Sequence, residues 1–196
     1  MTRRNPTGGL AARKQSLREQ MRERRRALSA SEQASHANAV AKTVVARLQD
    51  GDTVGVYLVR DGELDLTPLI EICWQRGIAV AVPVIDGQQL RFAAYRRNEP
   101  MRRNRFGIAE PAEPAWRTPT LLLAPLVAFD ATGQRLGMGG GYYDRYLSAH
   151  PDLRRVGAAH ECQRVAAVPA ADDDVPLPAV VTERGWQSFT PLADTR

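Results

Sequence analysis

The sequence predicts a layered α/β domain on a mostly parallel sheet, and three observations carry that reading. Strand-length apolar runs alternate with helix-length segments between residues 53 and 182. The strongest runs, TVGVYLV at 53–59 and TLLLAPLVAF at 120–129, are apolar at most positions, as strands buried on both faces require. A glycine-rich turn follows the second of these, at the place where open α/β sheets hold ligands. With 196 residues the chain is expected to form one domain, over 10–186, large enough for a sizeable core.

Taken in order, residues 1–9 carry Pro6, Gly8 and Gly9 and read as a disordered tail. Leu10 to Leu28 is free of Gly and Pro, with Leu10, Leu17, Met21 and Leu28 marking a narrow apolar stripe, so a first helix is expected there. Lys14 and Arg18 fall one turn apart on a common face of it. A second helix runs from about Ser29 to Leu48, opened by Ser29 and Glu32 at capping-box spacing. After the strand at 53–59, LTPLIEICWQRG at 66–77 reads as a helix stopped by Gly77. IAVAVP at 78–83 is a strand, and the Asp86–Gly87 turn leads to QLRFAAY at 89–95 as its hairpin partner. Residues 96–119, rich in Pro, Arg and Glu, read as a long loop. Pro125 limits how the strand at 120–129 pairs. The glycine-rich turn follows, then a helix to about His150, a short strand RVGAAH at 155–160, a Pro/Asp-rich segment and the strand AVVT at 179–182. Residues 187–196 are expected to be a C-terminal extension.

The turn itself is RLGMGGGYYDRYL at 135–147. Glycines at 137, 139, 140 and 141 let backbone N–H groups approach an anion closely, and a helix beginning near Gly141 adds unpaired amides and the positive end of its dipole. Together these make a phosphate cradle. Arg135 supplies a charged fork suited to phosphate oxygens, and Asp144 a hard oxygen ligand for magnesium. A plain surface turn followed by a core helix using Tyr142, Tyr146 and Leu147 is the open alternative. The spacing is neither GxxxxGK[ST] nor GxGxxG, so it matches neither the P-loop nor the dinucleotide fingerprint.

The net charge of +5 is uneven: residues 1–30 hold nine Arg/Lys against two Asp/Glu, while the other 166 hold 18 against 20. Of 27 basic residues 25 are arginine, so a lysine can mark a site for a compact ammonium, a reading kept for Lys14, while Lys42 reads as chance. Cys73 and Cys162 form no disulfide framework, and no apolar stretch reaches membrane-span length, so a cytoplasmic protein is expected. His36, His150 and His160 lie far apart without ligand spacing and read as structural or surface residues, and Asp130 reads as a turn builder before the glycines.

Several strings in order, RKQSLR at 13–18, VYLVRDGELD at 56–65, FGIAEP at 106–111, APLVAFDATGQRLGMGGGYYDRYL at 124–147, GAAHECQ at 157–163 and DDDVPLPAVVT at 172–182, resemble the 5-formyltetrahydrofolate cyclo-ligases, also called methenyltetrahydrofolate synthetases. The resemblance spans about residues 10–183. It implies a three-layer α/β sandwich with a Rossmann-like sheet, and an ATP- and Mg2+-dependent enzyme converting 5-formyltetrahydrofolate, with or without a polyglutamate tail, to 5,10-methenyltetrahydrofolate. Position by position it implies ATP contacts at Lys14, Arg18, Arg135, Leu136, Gly137, Met138, Gly139, Gly140, Gly141, Tyr142 and Tyr143. Folate contacts are implied at Leu58, Glu63, Phe106, Met138, Gly139, Gly140, Gly141 and Tyr142, and metal contacts at Asp144 and Asp174, with Asp172 and Asp173 as alternatives in the same run. Lys14, Arg135 and Asp144 would form the catalytic set, in an expected monomer. Val59 and Arg60 depart from the family pattern, as do the tail and the extension after Trp186.

Two other function classes compete with this one. A nucleic-acid-binding module would use the Arg-rich first helix, although no aromatic interleaving or nucleic-acid motif accompanies it. A sensor would bind folate or nucleotide without chemistry.

Overall fold

A computed structural model describes residues 6–189 of the chain. Helix α1 (Pro6–Arg26) begins ahead of the expected start, so 6–9 belong to the helix and not to a tail. Proline suits a first helical turn, where its missing N–H would have no partner. Residues 1–5 of the expected tail lie outside the described residues.

Ser29 opens α2 (Ala30–Val45) through the expected capping box: Glu32 N donates to Ser29 Oγ at 3.2 Å, and Ser29 N donates to Glu32 Oε2 at 2.8 Å. Strand β1 is only Thr53–Gly55, shorter than the apolar run at 53–59. Val56 N still reaches Ala81 O at 2.9 Å, but beyond it the chain leaves the ladder and Tyr57 donates its hydroxyl to Leu64 O at 2.9 Å. Helix α3 (Thr67–Gln75) ends in a Schellman turn, with Gly77 N and Ile78 N donating to Trp74 O and Cys73 O. Strands β2 (Ala79–Asp86) and β3 (Gln89–Ala94) form the expected hairpin.

The long loop at 96–119 is less irregular than expected, for β4 (Met101–Arg103) and β5 (Ala109–Pro111) pair within it as a separate ribbon. Buried Glu110 anchors it, accepting from Arg102 Nε at 3.1 Å, Asn104 Nδ2 at 3.2 Å and Ile85 N at 3.3 Å. The run at 120–129 splits into β6 (Leu121–Pro125) and β7 (Ala128–Phe129), with β8 (Arg135–Leu136) pairing antiparallel to β7. Pro125 closes β6 because it has no N–H to carry the ladder further. Asp130 builds the turn between β7 and β8: its Oδ1 accepts from Thr132 N and Gln134 N, and its Oδ2 from Val168 N. Helix α4 (Tyr142–Ala149), β9 (Arg154–Ala158), a short 3-10 turn (Glu161–Gln163), β10 (Ala179–Thr182) and β11 (Gly185–Ser188) complete the order. Because β11 pairs antiparallel with β10, the domain extends past residue 186; residues 190–196 of the expected extension lie outside the described residues.

The central sheet runs β11-β10-β9-β6-β1-β2-β3, five parallel strands with an antiparallel strand at either edge. One face is covered by α2 and α3, where Val40, Val44, Leu69, Ile70 and Cys73 pack on Val54, Val80, Leu123 and Val156. The other face is covered by Tyr146 and Leu147 of α4, against Leu122, Ala124 and Val180. These are the three layers of an α/β sandwich. Helix α1 sits apart from both faces: Met21, fully buried, packs with Leu17 on Val127, Ala128 and Leu136. Burying such a side chain contributes about 2 kcal/mol, and it docks α1 beside the glycine-rich turn. Among the described residues no helix is long and apolar enough to cross a membrane.

Candidate active site

The glycine-rich turn links β8 to α4, and its backbone explains its composition. Gly141, the N-cap of α4, has φ +64°, and no side chain caps the helix there, so the first amides of α4 are left open. Gly139 has φ +95°, and a Cβ at that position would stand 3.3 Å from the Arg18 guanidinium. The positive φ at 139 is what favours glycine there, and a side chain would also press on the Arg18 guanidinium.

Helix α1 faces this turn with the pair foreseen from spacing. Arg18 Nε donates to Gly137 O at 2.9 Å, and Lys14 Nζ pairs with Asp174 Oδ2 at 2.5 Å across 160 residues of chain. Asp174 Oδ2 also accepts from Ala171 N at 2.7 Å, which turns this carboxylate inward while Asp172 and Asp173 stay exposed. From β8, buried Arg135 donates through Nη2 to Asp144 Oδ1 at 2.6 Å, and its Nε is buried without a partner. Asp144 Oδ1 accepts from Val175 N at 3.3 Å, so the aspartates at 144 and 174 meet through adjacent residues of one loop. Each carboxylate has one oxygen engaged by a cation and a backbone amide. Leu136 is buried beneath the turn, and Met138 is 54% exposed above it.

The segment 58–63 borders the same region. Leu58, partly buried, packs on the core under α2 and α3, while Val59 is exposed. Glu63 Oε2 accepts from Arg60 N at 3.1 Å. Burial pushes the Glu63 carboxyl up to about 6, against the charge of Arg25 and the Arg60 amide, which pull it down. Tyr143 has a buried hydroxyl without a hydrogen bond, and burial together with the Glu63 charge pushes its ionisation far above the ordinary range. Tyr142 is the outer tyrosine: its hydroxyl meets Arg105, and Phe106 stands edge-on to its ring at 5.9 Å between centroids. Arg60 Nη1 donates to Phe106 O at 2.8 Å, tying the 58–63 segment to the 104–107 loop. Phe106 is 43% exposed, with the Arg105 guanidinium 5.0 Å from its ring centre.

Sequence reading missed what holds the 58–63 segment. Asp61, at φ +55°, accepts from Arg22 Nε at 2.6 Å, Arg25 Nη2 at 3.1 Å and Arg26 Nε at 2.5 Å, and Arg25 Nε donates to Asp61 O at 2.8 Å. Burial pushes the Asp61 carboxyl up, but the hydrogen bonds from Arg22 and Arg26 prevail and hold it below the usual carboxylate range. Arg25 is fully buried. The spacing 22, 25, 26 on one helical face is the available signal, whereas the sequence analysis takes these arginines as net charge and as a candidate nucleic-acid-binding surface. Arg18, Arg22, Arg25 and Arg26 of α1 are thereby engaged by Gly137 and Asp61, while Arg13 and Arg24 stay exposed.

The histidines are a second correction. His36 and His160, read as unrelated, lie with their Nδ1 atoms 2.9 Å apart.

The profile of the 5-formyltetrahydrofolate cyclo-ligase family matches residues 10–183. The chain is 42% identical over 181 residues to the 5-formyltetrahydrofolate cyclo-ligase of Escherichia coli (strain K12), covering 85% of this chain and 99% of that protein. It is 34% identical over 176 residues to the protein of the same name from Haemophilus influenzae, covering 84% and 94%. Among solved structures, the Aquifex aeolicus 5,10-methenyltetrahydrofolate synthetase superposes with a TM-score of 0.75 at 28% identity, covering 93% of this chain and 96% of that one.

Proposed function

Since the chain belongs to the 5-formyltetrahydrofolate cyclo-ligase family, we propose that it converts 5-formyltetrahydrofolate to 5,10-methenyltetrahydrofolate using ATP and magnesium, releasing ADP and phosphate. The observation that supports this reading is the convergence around a glycine-rich turn that starts a helix of Arg18 on Gly137, Arg135 on Asp144 and Lys14 on Asp174.

The chemistry asks for such a place. The oxygen of an N-formyl group is a poor leaving group, so it is first phosphorylated: it attacks the γ-phosphorus, and the bond from that phosphorus to ADP breaks. The neighbouring side-chain amine nitrogen then attacks the formyl carbon, the carbon–oxygen bond breaks, phosphate leaves, and the nitrogen loses its proton as the new ring closes. No protein nucleophile is required, and positioning with charge neutralisation carries the rate. The open amides of the turn and of α4 hold the nucleotide phosphates. Lys14 moves from Asp174 to the transferring phosphoryl group as a compact charge, and Arg135, fixed by Asp144, faces the same oxygens with its fork. Arg18 holds the turn in shape through Gly137 O. Leu58, Glu63, Phe106 and Tyr142 receive the folate, with Phe106 against the flat pterin.

Magnesium suits Asp144 and Asp174, hard oxygen donors that each keep one carboxylate oxygen free of hydrogen bonds among the described residues. When bound there it supplies charge neutralisation at the phosphates. The test is the near-ultraviolet absorbance of methenyltetrahydrofolate on mixing protein, 5-formyltetrahydrofolate, ATP and magnesium. Absorbance that rises only with both additions supports the reading, and folded protein giving no signal rejects it.

A further inference from the structure

Three donor groups distant in sequence converge beside Gly62: His36 on α2, His160 just ahead of the 3-10 turn, and Glu183 in the turn between β10 and β11. Their nearest donor atoms all lie within 4.8 Å of one another. The two Nδ1 atoms are 2.9 Å apart, and Glu183 Oε2 is 3.7 Å from His36 Nδ1. Glu161 N donates to Glu183 Oε2 at 3.0 Å and holds the carboxylate in place.

Two imidazole nitrogens at this distance cannot both present lone pairs; they must share an electrophile, either a proton or a metal ion. Among the described residues the buried His160 Nε2 has no partner at full hydrogen-bond geometry, and the group that faces the ring there is the Gly62 backbone, an acceptor, so the neutral ring carries its proton on Nε2. With its proton on Nε2, His160 directs the Nδ1 lone pair at the shared position. The carboxylate alongside adds negative charge that a proton-sharing pair of rings does not need. Arg25, the nearest cation in the core, is committed to Asp61.

We propose that His36, His160 and Glu183 form a binding site for one divalent transition-metal ion of the zinc, cobalt or nickel class, separate from the phosphate-binding turn. Two imidazoles and one carboxylate select these metals over magnesium or calcium, and three protein ligands leave a fourth position for water. Metal–nitrogen bonds of about 2.0–2.1 Å at a tetrahedral angle put the two nitrogens about 3.3 Å apart. Ring rotations of a few tenths of an ångström from the observed separation achieve this. The ion would clip α2, the end of β9 and the β10–β11 turn together.

The test titrates Co2+ into the whole chain, tag-free, without ATP and with excess Mg2+ to occupy the aspartate pair. One equivalent is expected to give the intense visible absorption of a tetrahedral site, displaced by Zn2+. His36→Gln and Glu183→Gln, both at partly exposed positions, are each expected to weaken binding at least about tenfold, while His150→Gln leaves it unchanged. No cobalt spectrum with the wild-type chain, or a spectrum that survives both substitutions, overturns the proposal.

Discussion

Replacing Glu63 by Gln separates what this residue does for the fold from what it does for the ligand. Burial raises the carboxyl from 4.5 to about 6, and at about 1.4 kcal/mol per tenfold change in proton affinity this corresponds to about 2 kcal/mol. The folded chain holds the proton more tightly than the unfolded one, so stability falls as pH rises from 4.5 to 6, and the full cost is present above 6. Glutamine has nearly the same shape, its carbonyl can still accept from Arg60 N, and it carries no charge. The Glu63→Gln chain is therefore expected to be more stable than wild type by about 1–2 kcal/mol at pH 7.5, with the gain vanishing below pH 4.5. Over the same range kcat/KM for 5-formyltetrahydrofolate should fall, because a carboxylate accepts from pterin N–H groups better than an amide does. Urea unfolding at several pH values, read by tryptophan fluorescence, measures the first effect. A gain of equal size at pH 4 and pH 7.5, or a loss of stability at pH 7.5, refutes the reasoning.

Three further substitutions test other parts of the account. Lys14→Ala should lower kcat by about a hundredfold or more. Its pair with Asp174 is largely buried, so unfolding free energy should also fall, by about 1–3 kcal/mol; steady-state kinetics and urea curves check both. Asp61→Asn keeps a residue type that tolerates φ +55° but leaves buried Arg25 without its counter-charge. The expected loss is about 3 kcal/mol, and an unchanged unfolding midpoint would show that the arginines do not depend on Asp61. Gly139→Ala forces a side chain to φ +95° against Arg18, a strain of about 1–3 kcal/mol. It should raise KM for ATP more than KM for the folate, as initial rates at varied substrate would show.

The parts legible in the sequence are those fixed by local physics. The capping box at Ser29 and Glu32, the hairpin around Gly87 and the Lys14/Arg18 face depend on residues within one or two turns, and each is present. Continuous apolar runs marked the parallel strands, but not their ends, because Val56 and Leu126 stay buried after leaving the ladder. The β4–β5 ribbon was invisible since its strands, MRR and AEP, carry no apolar alternation and are pinned by one buried glutamate. The Asp61 clamp and the His36–His160 contact join residues 36 and 124 positions apart, where helical and strand periodicities say nothing. At the active site the glycine turn could be read as a phosphate cradle, but the inward turn of Asp174 depends on the Ala171 amide and on the fold that brings Lys14 to it.

The central claim is that the formyl oxygen is phosphorylated at the glycine-rich turn before the ring closes. A heavy-oxygen label placed in the formyl group of 5-formyltetrahydrofolate follows that atom directly. One turnover is expected to carry the label into the released inorganic phosphate, together with one ADP per methenyltetrahydrofolate formed. Label recovered in water while the phosphate stays unlabelled would contradict it.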